Sequence, residues 1–298
     1  MTVKIIADSS CDLSDEIITD LDIDILNIKS VDELQNLIDV SFTMDEFFDA
    51  QRNGHIFKTS QVTTYDYLMK FEQYAKSGID FICITLSSGM SGGYQNAVMA
   101  LRSLRERYPN VKMEIVDSLA ASVGNGLVTY YMAKASKSGM DFDMLIEFSK
   151  FLVSNVGHLF TVFDLKYLYS GGRVSRTKAK ISDILNILPI LEVDEEGKIF
   201  LSEVVRGKNK AYKRMSEILV ENTTGTNDVV FPVYGDDYSI LTNFLKRIEK
   251  LGFNNYIPLQ VGTIIASHVG PDIVGISYLF KEIPHEYRSY VYDFNDCY

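Results

Sequence analysis

No stretch of the sequence approaches the roughly 20 uninterrupted apolar residues that cross a bilayer. The opening MTVKIIADSS also lacks the basic region and long apolar core of an export signal. These absences predict a cytoplasmic protein without stable membrane insertion. Cysteine is scarce: Cys11, Cys83 and Cys297 are odd in number and form no CxxC pair, so neither a disulfide framework nor a thiolate metal site is indicated. The four histidines, His55, His158, His268 and His285, are far apart, and His285-Glu286 does not continue into HExxH. No catalytic metal and no cofactor are expected. Positive charge is in deficit too. A formal net charge of −11 works against general nucleic-acid binding, which needs a basic face to neutralise phosphates.

What remains is an ordinary globular composition, 46% apolar and 23% charged, over 298 residues, long enough for two modest domains that enclose a cavity. The first half speaks α/β. VKIIADS, DFICITL and VKMEIVDS read as strands covered on both faces. Thr43 and Glu46 have the spacing of a capping box, which predicts a helix over Met44 to Arg52. Apolar residues at helical spacing follow from Tyr65 to Lys76, ending at Gly78, and again from Tyr94 to Tyr108. Strand, loop, helix and strand make a βαβ unit, whose binding crevice lies at the carboxyl ends of parallel strands.

After a helical stretch from about Asp143 to Asn155 the pattern changes. PILEVD and KIFLSEVV flank Glu195, Glu196 and Gly197 like the arms of a hairpin. The prediction is a two-domain α/β protein. Residues 1–157 carry a parallel sheet, residues 158–298 a largely antiparallel one, and a ligand lies in the cleft between them.

The strongest local signal is SSGMSGG, between a strand and a helix. Ser87, Ser88, Gly89, Ser91 and Gly92 can aim backbone N–H groups and hydroxyls at one point, and the helix start adds partial positive charge, so an anionic oxygen is expected there. A plain tight turn favours the same residues. With no lysine in the loop, a nucleotide P-loop is excluded. GMSGG also matches the GxSxG nucleophile elbow, which would make Ser91 a nucleophile, His268 its base and Asp236 the orienting acid of a serine esterase or thioesterase.

Thr59 and Ser60, in KTSQVT, precede a helix that Thr63 or Thr64 would cap, and are placed to approach the same crevice. His268, in IIASHVGPD, reads as the top of a strand. Arg173 follows two glycines and would either reach the ligand or brace the two domains. Arg206, Lys208, Lys210, Lys213 and Arg214 crowd one helix start, a basic patch whose potential persists over a Debye length of about 8 Å.

These stretches in this order, IIADSSCDLS, KTSQVT, SSGMSGGYQNA, IVDSLAAS, LKYLYSGGRVS, ILNILPILEVDEEGKI, VVRGKNKA and IASHVGPDIVG, resemble the DegV family of bacterial fatty-acid-binding proteins. The resemblance implies a non-catalytic carrier with a long-chain fatty acid between two domains. Its carboxylate would be held by Thr59 and Ser91 with His268 nearby. It further implies a partner, the catalytic subunit of fatty acid kinase, which forms an acyl phosphate for phospholipid synthesis. Arg206, Lys208 and Lys210 would then face that kinase.

Overall fold

A computed structural model describes residues 2–31, 43–174, 187–225 and 227–292. Cys297 lies outside them. The chain begins with β1 (Lys4–Asp8), α1 (Asp15–Asp20), β2 (Asp24–Leu26), β3 (Lys29–Val31), α2 (Met44–Arg52) and β4 (Lys58–Ser60). It continues through α3 (Thr64–Lys76), β5 (Phe81–Thr85), α4 (Gly93–Arg105), β6 (Met113–Asp117), α5 (Val123–Lys137) and α6 (Phe142–Asn155). Four of these strands form a wholly parallel sheet in the order β2-β1-β5-β6.

Why the central strand is unbrokenly apolar is visible in its packing. All five residues of β5 are buried, and alternate ones face opposite layers. Ile82 and Ile84 pack with Leu127 and Val128 of α5. Phe81 and Cys83 pack with Phe71 of α3 and Ala97 of α4. Side chains close the helix starts: the Thr43–Glu46 capping box opens α2, and Thr63 with Asp66 opens α3 in the same way.

The second half contributes β7 (Val156–Val162), α7 (Lys166–Ser170), β8 (Ile187–Val193), β9 (Ile199–Arg206), α8 (Lys208–Asn222) and β10 (Phe231–Tyr234). Then come α9 (Tyr238–Glu249), β11 (Leu259–Gln260), α10 (Thr263–Val269), β12 (Ile273–Leu279) and α11 (His285–Val291). Its sheet runs β11-β10-β12-β7-β8-β9, antiparallel except for the β10–β11 pair. The change from parallel to antiparallel pairing therefore falls at β7, and β8 and β9 form the expected hairpin. One correction concerns His268. It lies within the helix α10, not at the top of a strand. Its short apolar run has no period by which helix and strand differ, and the strand begins four residues after the helix ends, at Ile273.

The halves meet along a fitted seam. Ser87 Oγ donates to the Gly197 carbonyl at 2.7 Å, and a Cβ on Gly89 would stand 2.4 Å from the Glu196 carbonyl oxygen. The serine loop thus rests on the β8–β9 turn. On the other side, Gln51 Nε2 donates to the Ala266 carbonyl at 2.7 Å, Tyr167 donates to the Gln51 carbonyl at 3.0 Å, and Arg52 bridges Asp236 and Asp272. Because backbone, not a flexible side chain, would oppose the added methyl group, Gly89→Ala should lower stability by about 1–3 kcal/mol. Chemical denaturation checks this; an unchanged midpoint would mean that the turn moves aside freely.

Candidate ligand-binding site

Between the two sheets lies a cavity of about 520 Å3, a size typical of small-molecule sites. Its walls are mainly apolar, with Leu86, Leu159, Val193, Ile199, Ile264 and Ile273 among them. Polar groups from four separated segments meet at one place on this wall. The register of the β3–β4 pair sets Ser30 opposite Thr59. From there Thr59 Oγ1 reaches His268 Nε2 at 2.9 Å. Arg173 Nε donates to the carbonyl of Met90 at 3.2 Å, which brings the guanidinium beside Ser91. Thr59, Ser91, Arg173 and His268 all line the cavity.

Burial sets the charge state of this cluster. Loss of water, and secondarily the nearby Arg173 charge, push the His268 pKa down to about 4, so the ring is neutral at ordinary pH. Its Nδ1 is buried with no partner among the described residues. Whichever tautomer holds, one donor stays uncommitted, either Thr59 O–H or Nδ1–H. Burial also pulls the Arg173 pKa down from its usual value. The guanidinium remains cationic, and it makes no ion pair among the described residues. Ser91 Oγ accepts from Gly93 N at 3.2 Å, which leaves its own proton free to donate.

Among the predicted site residues, Thr59, Ser60, Ser91, His268 and Arg173 line the cavity, whereas Ser87, Ser88, Gly89 and Gly92 do not. The physical reason is that the loop spends its groups internally. Ser87 is fully buried against Gly197, and Ser88 N donates to Asp117 Oδ1 at 3.0 Å. Gly89 and Gly93 donate to the Ser87 and Ser91 hydroxyls. Met90 and Ser91 amides bond the Ser87 carbonyl. Gly92 sits against Gln61, whose Oε1 would be 2.5 Å from an added Cβ. Side chains, rather than a nest of loop amides, therefore face the cavity.

The hydrolase triad is likewise not assembled. Arg52 holds Asp236 at 2.8 Å, and no carboxylate orients His268 Nδ1 among the described residues. The basic patch also contracts. Arg214 pairs with Glu203, Glu217 and Glu221 and Lys213 with Glu217. Arg206, Lys208 and Lys210 stay exposed, with Lys208 Nζ 4.0 Å from the centre of the Phe163 ring. Among the described residues no group of histidine, cysteine and acidic side chains could hold a metal ion. Nor, among the same residues, is any helix long and apolar enough to cross a membrane.

Sequence reasoning missed a buried clamp beside the cavity. Asp12 Oδ2 accepts from Ser122 Oγ at 2.6 Å and Oδ1 from Gly262 N at 2.9 Å. It ties the start of α5 to the start of α10, the helix that carries His268. Ser122 has φ 52° and ψ −141°, a conformation costly for a residue with a Cβ.

This architecture and these motifs are shared. The sequence profile of the DegV family, described as an uncharacterised protein family, matches residues 2–281. The chain belongs to the DegV family. A DegV domain-containing protein of Clostridium perfringens is 31% identical over 92% of this chain and 96% of its own. A stearic acid-binding protein from Eubacterium ventriosum has the same fold, with a TM-score of 0.84 and 25% identity over 93% of this chain and 98% of its own. A fatty acid binding DegV family protein from Streptococcus agalactiae gives a TM-score of 0.83 and 27% identity, covering 94% and 99%.

The Asp12 clamp of this DegV protein carries a pH signature. Desolvation pushes the Asp12 pKa up to about 8, outweighing the two hydrogen bonds that lower it. Between the ordinary carboxyl value of 3.8 and about 8 the folded state binds the proton more tightly than the unfolded state. Asp12 therefore costs stability as pH rises through that window, by at most about 1.4 kcal/mol per pH unit. Asp12→Asn removes this dependence, so the stability of wild type relative to the variant should fall from pH 4 to pH 8. Denaturation midpoints across that range measure it, and a constant gap would place the Asp12 titration elsewhere.

Proposed function

We propose that this DegV protein binds one long-chain fatty acid in the cavity, with its carboxylate on Thr59 and Ser91 beside His268 and Arg173. It is a non-catalytic carrier that presents the acid to a separate kinase for conversion to an acyl phosphate. One observation carries the reading: a mainly apolar cavity with neutral donors and a cation, Arg173, that makes no ion pair among the described residues, gathered at one place. Each methylene hidden from water contributes ~0.8 kcal/mol, so an acyl chain can bind tightly without covalent chemistry. A buried carboxylate is costly unless hydrogen-bonded, and the Thr59, Ser91 and His268 groups supply donors for it. The fatty-acid binding stated for the E. ventriosum and S. agalactiae relatives supports the same ligand class.

The carrier role is supported by what the site lacks for hydrolysis, since Asp236 is held by Arg52. A kinase-facing surface at Arg206, Lys208 and Lys210 is supported by an electrostatic mismatch. Cations at a helix start oppose the helix dipole, so these residues do little for α8 itself and stand ready for an acidic partner.

Replacing both Thr59 and Ser91 by alanine should weaken fatty-acid binding at least about tenfold, since hydrogen bonds to a charged group contribute about 1.5–3 kcal/mol each. Titration calorimetry reads the affinity, and native mass spectrometry of protein purified from cells reads any co-purified acid. Equal affinity in the double variant would remove the proposed head-group site. Reversing the charge at Arg206→Glu should leave acid binding intact yet slow acyl phosphate formation by a fatty acid kinase. Undiminished turnover would move the kinase contact elsewhere.

A further inference from the structure

His158 of β7 and Ser277 of β12 stand directly opposite one another in the antiparallel register. Both line the cavity, and both are more than nine-tenths buried, with exposures of 8% and 2%. Directly opposed residues project from the same face of a sheet with Cβ atoms about 4.5–5.5 Å apart. The Ala121 amide donates to His158 Nε2 at 3.3 Å, which leaves the ring proton on Nδ1. Burial pushes the imidazole pKa down to about 4, so the ring is a neutral donor. Its position is fixed by α5, where a Cβ on Gly124 would stand 1.9 Å from Nε2.

Neither His158 Nδ1 nor Ser277 Oγ has a partner among the described residues. Thr161 Oγ1, on the opposite face of β7, is fully enclosed, whereas the His158 and Ser277 atoms open onto the cavity they line. The pair lies away from the head-group cluster. Ser277 is four residues along β12 from Ile273, the end that follows α10 and His268, or roughly 13 Å at the usual strand rise. A purely apolar chain passing these atoms would leave a buried donor and a hydroxyl unsatisfied, and each such loss is costly.

We propose that His158 and Ser277 form a second polar subsite that selects a fatty acid carrying a hydroxyl group part-way along its chain. Nδ1–H donates to the hydroxyl oxygen, and the hydroxyl proton goes to Ser277 Oγ. This rests on the fatty-acid reading above and specifies its ligand.

The test is displacement of a fluorescent fatty acid from the full chain by hexadecanoic acid and by its mono-hydroxy isomers, substituted at successive mid-chain and terminal carbons. One group of isomers should bind about tenfold tighter than the unsubstituted acid, as expected for two hydrogen bonds. Ser277→Ala and His158→Leu, each first checked for an intact fold by thermal melting, should abolish that preference while hexadecanoic acid still binds. Tighter binding of hexadecanoic acid than of every isomer in the wild type would overturn the subsite and leave the carrier reading standing. A preference unchanged in both variants would overturn it as well. Failure of every acid to displace the probe would overturn the carrier reading and this inference together.

Discussion

The hydrogen bond between Thr59 and His268 spans 209 residues of sequence, and the geometry of the cavity wall follows from it. Each partner is brought to the meeting point by other restraints. Thr59 sits on a short strand paired with β3. His268 sits on a seven-residue helix, too short to be stable alone. That helix is held at its start by Asp12 on the Gly262 amide and further along by Gln51 on the Ala266 carbonyl. A small error in either restraint would separate the Thr59 hydroxyl from the ring nitrogen in a largely buried site, where an unmade hydrogen bond is costly. Desolvation also keeps the ring uncharged, which leaves Arg173 as the full positive charge beside Ser91.

Much of the fold could be read locally. β5 is unbrokenly apolar because α5 covers one face and α3 and α4 the other, and that pattern needs no tertiary knowledge. The capping threonines of α2 and α3 are equally local, since their partners lie three residues away. What the sequence hid depends on distant pairings. Arg173 reaches the cavity by bonding Met90, 83 residues earlier, and no spacing rule reports such a contact. His268 reads as the top of a strand because an apolar heptapeptide between glycines carries no decisive period. The basic cluster looked larger in sequence than in space because the acids that neutralise Arg214 include Glu203 on the preceding strand.

The serine loop is instructive because its residues serve a purpose other than the one their types advertise. Serine and glycine at a strand-to-helix turn suggest amides converging on an anion. Here Asp8 takes the Leu86 amide at 2.7 Å, Asp117 takes that of Ser88, and Ser87 gathers those of Gly89, Met90 and Ser91. Glycine at position 89 admits the neighbouring hairpin rather than a phosphate. The loop is a hinge pin between the halves, and the Ser91 hydroxyl is its contribution to the cavity.

The acidic residues of the opening ADSSCDL segment gain their meaning from the same accounting. Asp8 and Asp12 are both buried and both have raised pKa values, with desolvation the leading cause. Two burdened carboxylates so close together would be hard to justify as packing, because apolar side chains would fill the space at less cost. Their oxygens instead accept from Leu86 at the root of the serine loop, from Ser122 at the start of α5 and from Gly262 at the start of α10. Leu86 and Ser122 line the cavity, Gly262 opens the helix that carries His268, and no apolar residue could satisfy those donors. Stability surrendered at two carboxylates is thus converted into the placement of Ser91, Ser122 and His268 around one apolar space.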